Sequence, residues 1–367
     1  MTTVTRQLLE GINVLDLSRV LAGPLCTMML GDLGANVIKV ERPGAGDDTR
    51  AWGPPFDNRG ESAYYLSINR NKKSVAADLG TATDRALIER LIENADAVVD
   101  NFRRGTLERY GLDPRRFLAR YPRLVWCTIT GFGADSDRPG YDYVVQAERG
   151  WMAITGERDG QPMKVGVALA DVIAGKDAAI ATLAALVSSA RTGEGRHVVT
   201  SLAQSATAAL VNVAQNALVT GRDAVRWGNA HPNLVPYEMF EARDRPIVIA
   251  VGNDAQWRAC ACALGLDDLA DDRALATNAG RIAQRERVVR AVAGQVRERR
   301  ADDIAAALDR AGVPCGTVRT VLEALRDAGG SALTGVAPSV PGSVRYPPPL
   351  LDEHGAEIRA GGWAVFA

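Results

Sequence analysis

An isolated acid in an apolar stretch is the residue of this sequence best suited to covalent chemistry. Asp171 is the only charged residue between Lys164 and Lys176, and a long helix is predicted to start near Val172. The positive end of the helix dipole would keep the acid ionised, while apolar neighbours would remove its water and make it a better nucleophile. Asp is also a favoured helix N-cap, which is the structural alternative. Spacing alone does not separate the two roles.

Basic residues beside several predicted strands form a second candidate site. They are Arg42, Lys72, Lys73, Arg103, Arg104 and Arg109. Arg pairs phosphate oxygens in a bidentate manner, and helix starts add backbone donors, so the group is suited to a ligand with several phosphates. Asn101 and Phe102 offer an amide and a stacking face for a purine. The alternatives are solvated loop charges and a core aromatic.

Motifs of several common enzyme classes are missing. The sequence has no G-x-x-x-x-G-K-[ST] loop, no G-x-S-x-G and no H-E-x-x-H, and the first βα turn, Ser18 to Pro24, lacks G-x-G-x-x-G. These absences argue against the usual nucleotide-binding glycine loops and against standard hydrolases and metalloproteases. The C-x-C of Cys260 and Cys262 has no second Cys/His pair nearby, which favours apolar packing over a metal site.

Composition excludes further classes. The 367 residues include 43 Lys+Arg and 44 Asp+Glu, so there is no basic excess of the kind that nucleic-acid binders carry. No uninterrupted apolar run approaches the roughly 20 residues of a membrane span, and Met1 to Glu10 contain no apolar core like that of a signal peptide. We therefore expect a cytoplasmic protein that has neither nucleic-acid nor membrane partners.

Strand and helix patterns alternate over the first 130 residues and predict a parallel, doubly wound α/β sheet. Ligands of such sheets bind at the loops that follow the carboxyl ends of strands. The predicted strands are Ile12–Ser18, Asn36–Glu41, Ser74–Leu79, Ala97–Asn101 and Leu124–Thr130, with helices over Pro24–Leu33 and Asp84–Asn94.

The remaining chain predicts two long helices and then a smaller α/β domain. The long helices run from about Val172 to Ala190 and over Leu202–Val219; the smaller domain has a strand at Pro246–Val251 and helices over Ala255–Leu264, Arg281–Arg297 and Ala301–Ala311. We expect a large domain over 1–220, a small domain with linkers over 221–330, and a return segment over 331–367 that packs on the large domain.

Ordered sequence blocks from about Leu9 onward resemble those of family III CoA-transferases, which include formyl-CoA and carnitine CoA-transferases. The blocks cover 14–50, 69–79, 100–112, 140–156, 165–186 and 228–240. The resemblance implies that the acid of ALADVIAG, Asp171, is catalytic. It also implies a CoA site at Val20, Arg42, Asn101, Phe102, Arg109 and Arg138.

The resemblance further implies a Rossmann-like large domain built from both ends of the chain, a smaller α/β domain and an interlocked homodimer. Coenzyme A would be a substrate, with no tightly bound cofactor. Leu21 stands where the formate and oxalate enzymes have Gln, and Asn229–Asn233 replace their glycine-rich loop. The 228–240 block is more similar to members acting on dicarboxylic acids such as succinate and glutarate.

The chemistry implied by the resemblance runs through an aspartyl–acyl anhydride and an aspartyl-CoA thioester on Asp171. Two alternatives remain at the level of sequence. An α-methylacyl-CoA racemase, the isomerase of the same family, uses a His paired with an Asp, but the corresponding stretch Tyr141–Gln146 contains no His. A non-catalytic CoA-binding protein would bind CoA without thioester exchange.

Overall fold

Six parallel strands form the sheet of the larger unit, in a computed structural model that describes residues 7–367. Their order is β3-β2-β1-β4-β5-β6, which confirms the predicted parallel α/β sheet. This order reverses direction between β1 and β4, where doubly wound proteins bind ligands. The strands are β1 (Asn13–Asp16), β2 (Asn36–Glu41), β3 (Lys73–Ala76), β4 (Ala97–Asp100), β5 (Val125–Thr130) and β6 (His197–Ser201).

Helices follow the strands and cover both faces of the sheet. They are α1 (Ala22–Asp32), α2 (Ala63–Ile68), α3 (Ala82–Glu93), α4 (Thr106–Arg109), α5 (Pro114–Arg120), α6 (Asp142–Glu148), α7 (Trp151–Ile154), α8 (Leu169–Thr192), α9 (Leu202–Ala208) and α10 (Val211–Thr220), with a 3₁₀ turn at Asp48–Ala51. The single helix predicted over Leu202–Val219 is wrong, because Val211 has a φ of +36° that interrupts it. Elsewhere polar caps set the boundaries, as where the Thr81 side chain accepts from the Asp84 N–H.

Helix α8 lies close against α1 in the core. A methyl group on Gly175 would sit 2.6 Å from the carbonyl oxygen of Ala22, so only glycine permits this approach. By length and composition α8 is apolar enough to cross a membrane. Its buried face, which includes Ala174 and Ala178, packs in the same hydrophobic cluster as β1 and β5, as expected of a core helix.

The chain divides into two compact units. The larger contains residues up to Met152, then Lys164–Arg222 and Ala328–Ala367. The smaller contains Ala153–Met163 and Asp223–Asp327. Each unit has a hydrophobic core of its own.

A three-stranded antiparallel sheet and several helices make up the smaller unit. Its elements are β7 (Tyr237–Glu241), β8 (Pro246–Ala250), α11 (Asp254–Ala263), α12 (Asp267–Ala270), a 3₁₀ turn (Arg273–Leu275), α13 (Asn278–Ala283), α14 (Arg285–Arg297), α15 (Ala301–Arg310), β9 (Cys315–Thr317) and α16 (Val321–Ala328). The helix predicted over Arg281–Arg297 is two helices, divided at Gln284. Cys260 is fully buried in this core, while Cys262 is exposed.

The segment after Ala328 returns to the edge of the larger sheet. Asn71 Oδ1 accepts the backbone N–H groups of Arg345 (2.6 Å) and Tyr346 (3.0 Å). Asp352 Oδ1 accepts the N–H of Ala76, in β3, at 2.7 Å. The segment contains β10 (Gly330–Ser331), β11 (Gly335–Val336), α17 (Gly355–Gly361) and a 3₁₀ turn (Gly362–Phe366). It covers an edge strand that would otherwise expose unpaired backbone groups.

Candidate active site

A cavity of about 310 Å³ opens where the sheet order reverses. The loops that follow β1 and β4 form two of its walls, and the segment after β5 forms a third. Asp171, at the start of α8, is the part of that helix that reaches the cavity. Four arginines also line it: Arg19, Arg103, Arg104 and Arg138. The cavity is therefore suited to an anionic ligand held beside an acid.

Asp171 is the third residue of α8 and does not cap it. The N-cap is Ala168, which has no side-chain cap. The Asp171 carboxylate makes no hydrogen bond with any residue between 7 and 367. The capping alternative is therefore wrong, and the side chain is left available for chemistry.

The surroundings of Asp171 raise its pKa from 3.8 to about 7. Burial is the larger cause, and the negative charge of Asp142 on α6 is the second. We expected the helix dipole to keep the acid ionised, but burial outweighs it. A carboxylate with this pKa is half ionised near neutral pH and is a more basic nucleophile than an ordinary Asp.

Tyr64 lies near this acid and was missed by the sequence analysis. Its pKa is raised to about 12, by burial first and then by Asp171, Asp142 and Asp47. Its ring meets that of Trp52 edge-on, with centroids 5.2 Å apart. Nothing in the pattern of α2 distinguishes Tyr64 from a core aromatic, because the proximity comes from tertiary structure.

The loop after β1 holds Val20 in a strained conformation. Its φ is +70°, a value that a β-branched residue adopts at a cost of about 1–3 kcal/mol. The Val20 N–H donates to both oxygens of Asp47, at 3.2 and 3.3 Å. Asn101 holds the preceding residue, since its amide accepts from the Arg19 N–H (3.0 Å) and donates to the Arg19 carbonyl (2.7 Å). Asn101 therefore positions this loop.

Buried ion pairs support the same loop from below. Lys39, fully buried, donates to Asp47 and to the Ser18 carbonyl, each at 2.9 Å. Lys72, also fully buried, donates to Asp16 at 2.9 Å. Burial acts to lower the pKa of Lys72, to about 8, although Asp16 opposes the shift.

Two lysines of the proposed phosphate-binding group have other roles. Lys72 is enclosed by Asp16, Asn69 and the Pro24 carbonyl and does not reach the cavity. Lys73 donates to the Val365 carbonyl in the returning segment. The interpretation of these lysines as ligand contacts is wrong, because a sequence does not show which loop cations turn inward.

The structure brings together some of the implied CoA residues. Val20, Asn101, Phe102 and Arg138 line the cavity with Asp171, whereas Arg42 and Arg109 are not part of its lining. Phe102 is half-buried and also packs against the core, so the two interpretations of it are compatible.

Two arginines of this group, Arg138 and Arg42, pair with neighbouring acids. Arg138 pairs with both oxygens of Glu148, at 2.5 and 3.1 Å, and Arg42 pairs with Asp48 at 2.5 Å. Arg109 is exposed and makes a 3.5 Å contact with Thr106. These exposed pairs are weak and easily exchanged for a ligand's anion.

His197, on β6, also lines the cavity. Its Nε2 lies 2.9 Å from Thr128 Oγ1, which donates in turn to the buried Asp100 at 2.7 Å. Burial lowers the pKa of His197, although Asp100 opposes the shift, so the ring is neutral near pH 7.

The fold and the cavity define an α/β protein with an arginine-lined crevice, in whose wall Asp171 forms no hydrogen bond with residues 7–367. The chain belongs to CoA-transferase family III, whose family model matches residues 9–347. It is a CoA-transferase, which confirms the family and the enzyme class expected from the sequence.

Curated relatives and a solved structure match almost the whole chain. A succinate–glutarate CoA-transferase of Agrobacterium fabrum is 42% identical, with 96% of this chain and 95% of the relative covered. A human succinyl-CoA:glutarate CoA-transferase is 39% identical, covering 95% and 85%. The crystal structure of a CaiB/BaiF family protein from Brucella suis has a TM-score of 0.84 and 40% identity, covering 96% and 98%. These similarities favour the transferase over the racemase and the non-catalytic alternative.

Proposed function

We propose that this enzyme moves CoA from a dicarboxylic acyl-CoA, such as succinyl-CoA, to a second dicarboxylate through covalent intermediates on Asp171. The observation that carries the proposal is an acid at the wall of an arginine-lined cavity that forms no hydrogen bond within the described part of the chain. The names of relatives that share about 40% identity support dicarboxylates as substrates.

The first half of the reaction transfers CoA to the enzyme. An Asp171 oxygen attacks the thioester carbonyl, the C–S bond breaks, and an aspartyl–acyl anhydride and a CoA thiolate form. The thiolate attacks the Asp171 carbonyl carbon, the C–O bond breaks, and the donor acid leaves as a carboxylate. Asp171 then carries CoA as a thioester, and no proton has been consumed.

The second half repeats these steps in reverse order with the acceptor. Its carboxylate attacks the Asp171 thioester carbonyl and expels the thiolate. The thiolate attacks the acceptor's acyl carbon, which releases the new thioester and restores the Asp171 carboxylate. Each nucleophile is an anion, so the reaction depends on positioning more than on a general base.

The CoA moiety would occupy the crevice beside the loops after β1 and β4. Its phosphates would contact arginines, for which we propose Arg42, Arg109 and Arg138, while Phe102 would stack on the adenine. Val20 and Asn101 would line the path to Asp171. Their position in or beside one cavity supports this assignment.

A homodimer is supported by the apolar surface of α10. None of its residues is buried, and Leu218 and Val219 are 77% and 75% exposed. We propose that a second copy of the chain covers this surface in an interlocked dimer. Light scattering after gel filtration should give about twice the monomer mass of 39.1 kDa; a monomer would contradict the proposal. We further place the enzyme in the cytoplasm, with CoA as a substrate and no tightly bound cofactor.

Trapping the intermediate tests the proposed function. The enzyme is incubated with succinyl-CoA, treated with hydroxylamine and digested, and the peptide containing residue 171 is examined by mass spectrometry. A hydroxamate at Asp171 that requires the donor is the expected result. Asp171→Asn should show none and should lose at least about 10³-fold in turnover, yet still bind CoA. An unmodified Asp171 in active enzyme would overturn the proposal.

A further inference from the structure

Helix α8 begins without a cap of its own and receives one from another helix. The N-cap residue Ala168 has no side chain to accept the exposed N–H groups. Asp142, the first residue of α6, accepts the N–H of Ala170 through Oδ1 at 2.8 Å. The residue next to the nucleophile Asp171 is therefore held by a carboxylate that lies 28 residues earlier in the chain.

A buried glutamine extends this contact to a second point. Gln146, one turn further along α6, is fully buried and donates through Nε2 to Asp142 Oδ2 at 2.7 Å. Its Oε1 accepts the N–H of Val165 at 2.9 Å. Helix α6 thus accepts hydrogen bonds from the backbone at Val165 and Ala170, on both sides of the turn that starts α8. Both oxygens of Asp142 are used, which fixes its orientation.

The same carboxylate places a negative charge near Asp171. The negative charge of Asp142 contributes to the raised pKa of Asp171, and both acids contribute to the raised pKa of Tyr64 on α2. On α8 itself, the nearest charge along the chain, Lys176, is exposed. The other titratable groups of the cavity wall are Arg19, Asp48, Asp100, Arg103, Arg104, Glu108, Asp137, Arg138 and His197. The hydrogen bonds from Ala170 and Gln146 fix the position of the Asp142 carboxylate.

We propose that Asp142, held by Gln146, is a positioning residue of the transfer reaction that fixes the turn carrying Asp171 and makes its carboxylate a stronger nucleophile. The inference rests on the proposed function, in which Asp171 attacks the thioester. Acylation turns the Asp171 carboxylate into a neutral anhydride, and the departing thiolate takes the negative charge with it. Repulsion between the two acids is relieved in that step, so Asp142 favours acylation.

Asp142→Asn tests the role of the charge. Its amide oxygen can still accept from Ala170, but the negative charge is gone. The rate at which labelled succinate exchanges into succinyl-CoA is measured from pH 5.5 to 9. The acid limb of the profile should move down by about one pH unit, which raises the ratio of the rates at pH 6 and pH 8.5 about fivefold. Ionisation of succinate itself affects all variants equally and cancels in the comparison.

Two further variants separate charge from position. Asp177→Asn removes the same charge from α8, six residues beyond the nucleophile, where Asp177 accepts from Ser205 at 2.6 Å; its pH profile should match the wild type. Asp142→Glu keeps the charge but displaces the contact with Ala170. It should retain the wild-type acid limb and lose about tenfold in the rate at pH 8.5.

The outcomes distinguish this inference from the proposed function. An unchanged acid limb in Asp142→Asn, or an equal shift in Asp177→Asn, would overturn the role of Asp142 while leaving Asp171 as nucleophile. An Asp142→Glu enzyme with full activity would overturn the positioning contact. Failure of wild-type enzyme to form a hydroxamate at Asp171 would instead remove the proposed function. Circular dichroism and CoA binding verify that each variant is folded.

Discussion

Asp171 and Asp47 are two acids of the larger unit on which the surroundings have opposite effects. Asp47 is buried, and burial acts to raise its pKa, but the Lys39 ammonium and hydrogen bonds from Thr49 lower the pKa below its ordinary value. Asp171 meets the same effect of burial, no cation among residues 7–367 opposes it, and its pKa rises to about 7. The partner therefore decides whether the pKa of a buried acid falls or rises, and a raised pKa is the state that the proposed nucleophile needs.

Removing Asp47 should produce the largest effect on stability. Asp47→Ala leaves the buried Lys39 without its closest counter-ion and the Val20 N–H without its acceptor, so we expect a loss of about 3 kcal/mol in the free energy of unfolding. Urea denaturation at pH 7 measures it. Asp48→Ala is the matched control, since its pairs with Arg19 and Arg42 are partly exposed and should contribute less than about 1 kcal/mol. Equal losses of unfolding free energy in Asp47→Ala and Asp48→Ala would mean that the buried pair of Asp47 stabilises the fold no more than an exposed pair.

Neutralising Asp171 should raise the free energy of unfolding, in contrast to the loss expected for Asp47→Ala. Between its ordinary pKa of 3.8 and its folded value of about 7, the folded state holds a proton that the unfolded chain has lost. The free energy of unfolding therefore falls as pH rises through this range, and the full cost is present above pH 7. Asp171→Asn cannot ionise, so at pH 8 we expect it to be more stable than the wild type by about 2–4 kcal/mol.

Urea denaturation at several pH values checks this stabilisation. The difference between Asp171→Asn and the wild type should shrink as pH falls from 8 to 5. A difference that is independent of pH would mean that the Asp171 carboxylate is not destabilised by its surroundings, and the contrast with Asp47 would fail.

The wild-type pH–rate profile gives a smaller but direct test. Attack needs the ionised form of Asp171, so the exchange rate should be half-maximal near pH 7 and fall tenfold for each unit below it. Exchange of labelled succinate into succinyl-CoA under subsaturating conditions provides the measurement. If the rate fell to half its maximum only near pH 4, the pKa of Asp171 would not be raised and the contrast with Asp47 would fail.

The smallest effect concerns the exposed partner of Asp48. Arg42→Ala should weaken CoA binding about fivefold and leave the KM of the free acid almost unchanged, because an exposed arginine can exchange Asp48 for a phosphate. Calorimetry with CoA and steady-state kinetics measure the two quantities. Arg115→Ala is the control. It removes an exposed arginine of α5 that pairs with Asp113, and it should change neither CoA binding nor the KM of the free acid. Equal losses for CoA and acid in Arg42→Ala would indicate a structural role.

The sequence predicted the sheet because strands depend on local patterns. Short β-branched runs predicted the strands. The isolated charge in an apolar stretch made Asp171 a candidate, and the family resemblance then implied its catalytic role. The interruption at Val211 was missed because neither Gly nor Pro marks it. The apolar residues on either side continue the helical pattern.

Partners that are distant along the chain were beyond sequence reasoning. Lys72 binds Asp16 across 56 residues, and the assignment of Lys72 to a ligand site failed for this reason. The cap that Asp142 supplies to α8 and the proximity of Tyr64 to Asp171 belong to the same class. In each case two locally unremarkable segments become neighbours through the topology of the sheet, which no single window of sequence contains.

The backbone contact between β3 and the returning segment sets an order of events during protein synthesis. The Ala76 N–H donates to the side chain of Asp352, which leaves the ribosome 276 residues later. Until then β3 presents an open strand edge, which can pair with other nascent chains. Low growth temperature or abundant chaperones should therefore raise the soluble yield of this enzyme, and premature stop codons ahead of Asp352 should send the product into inclusion bodies.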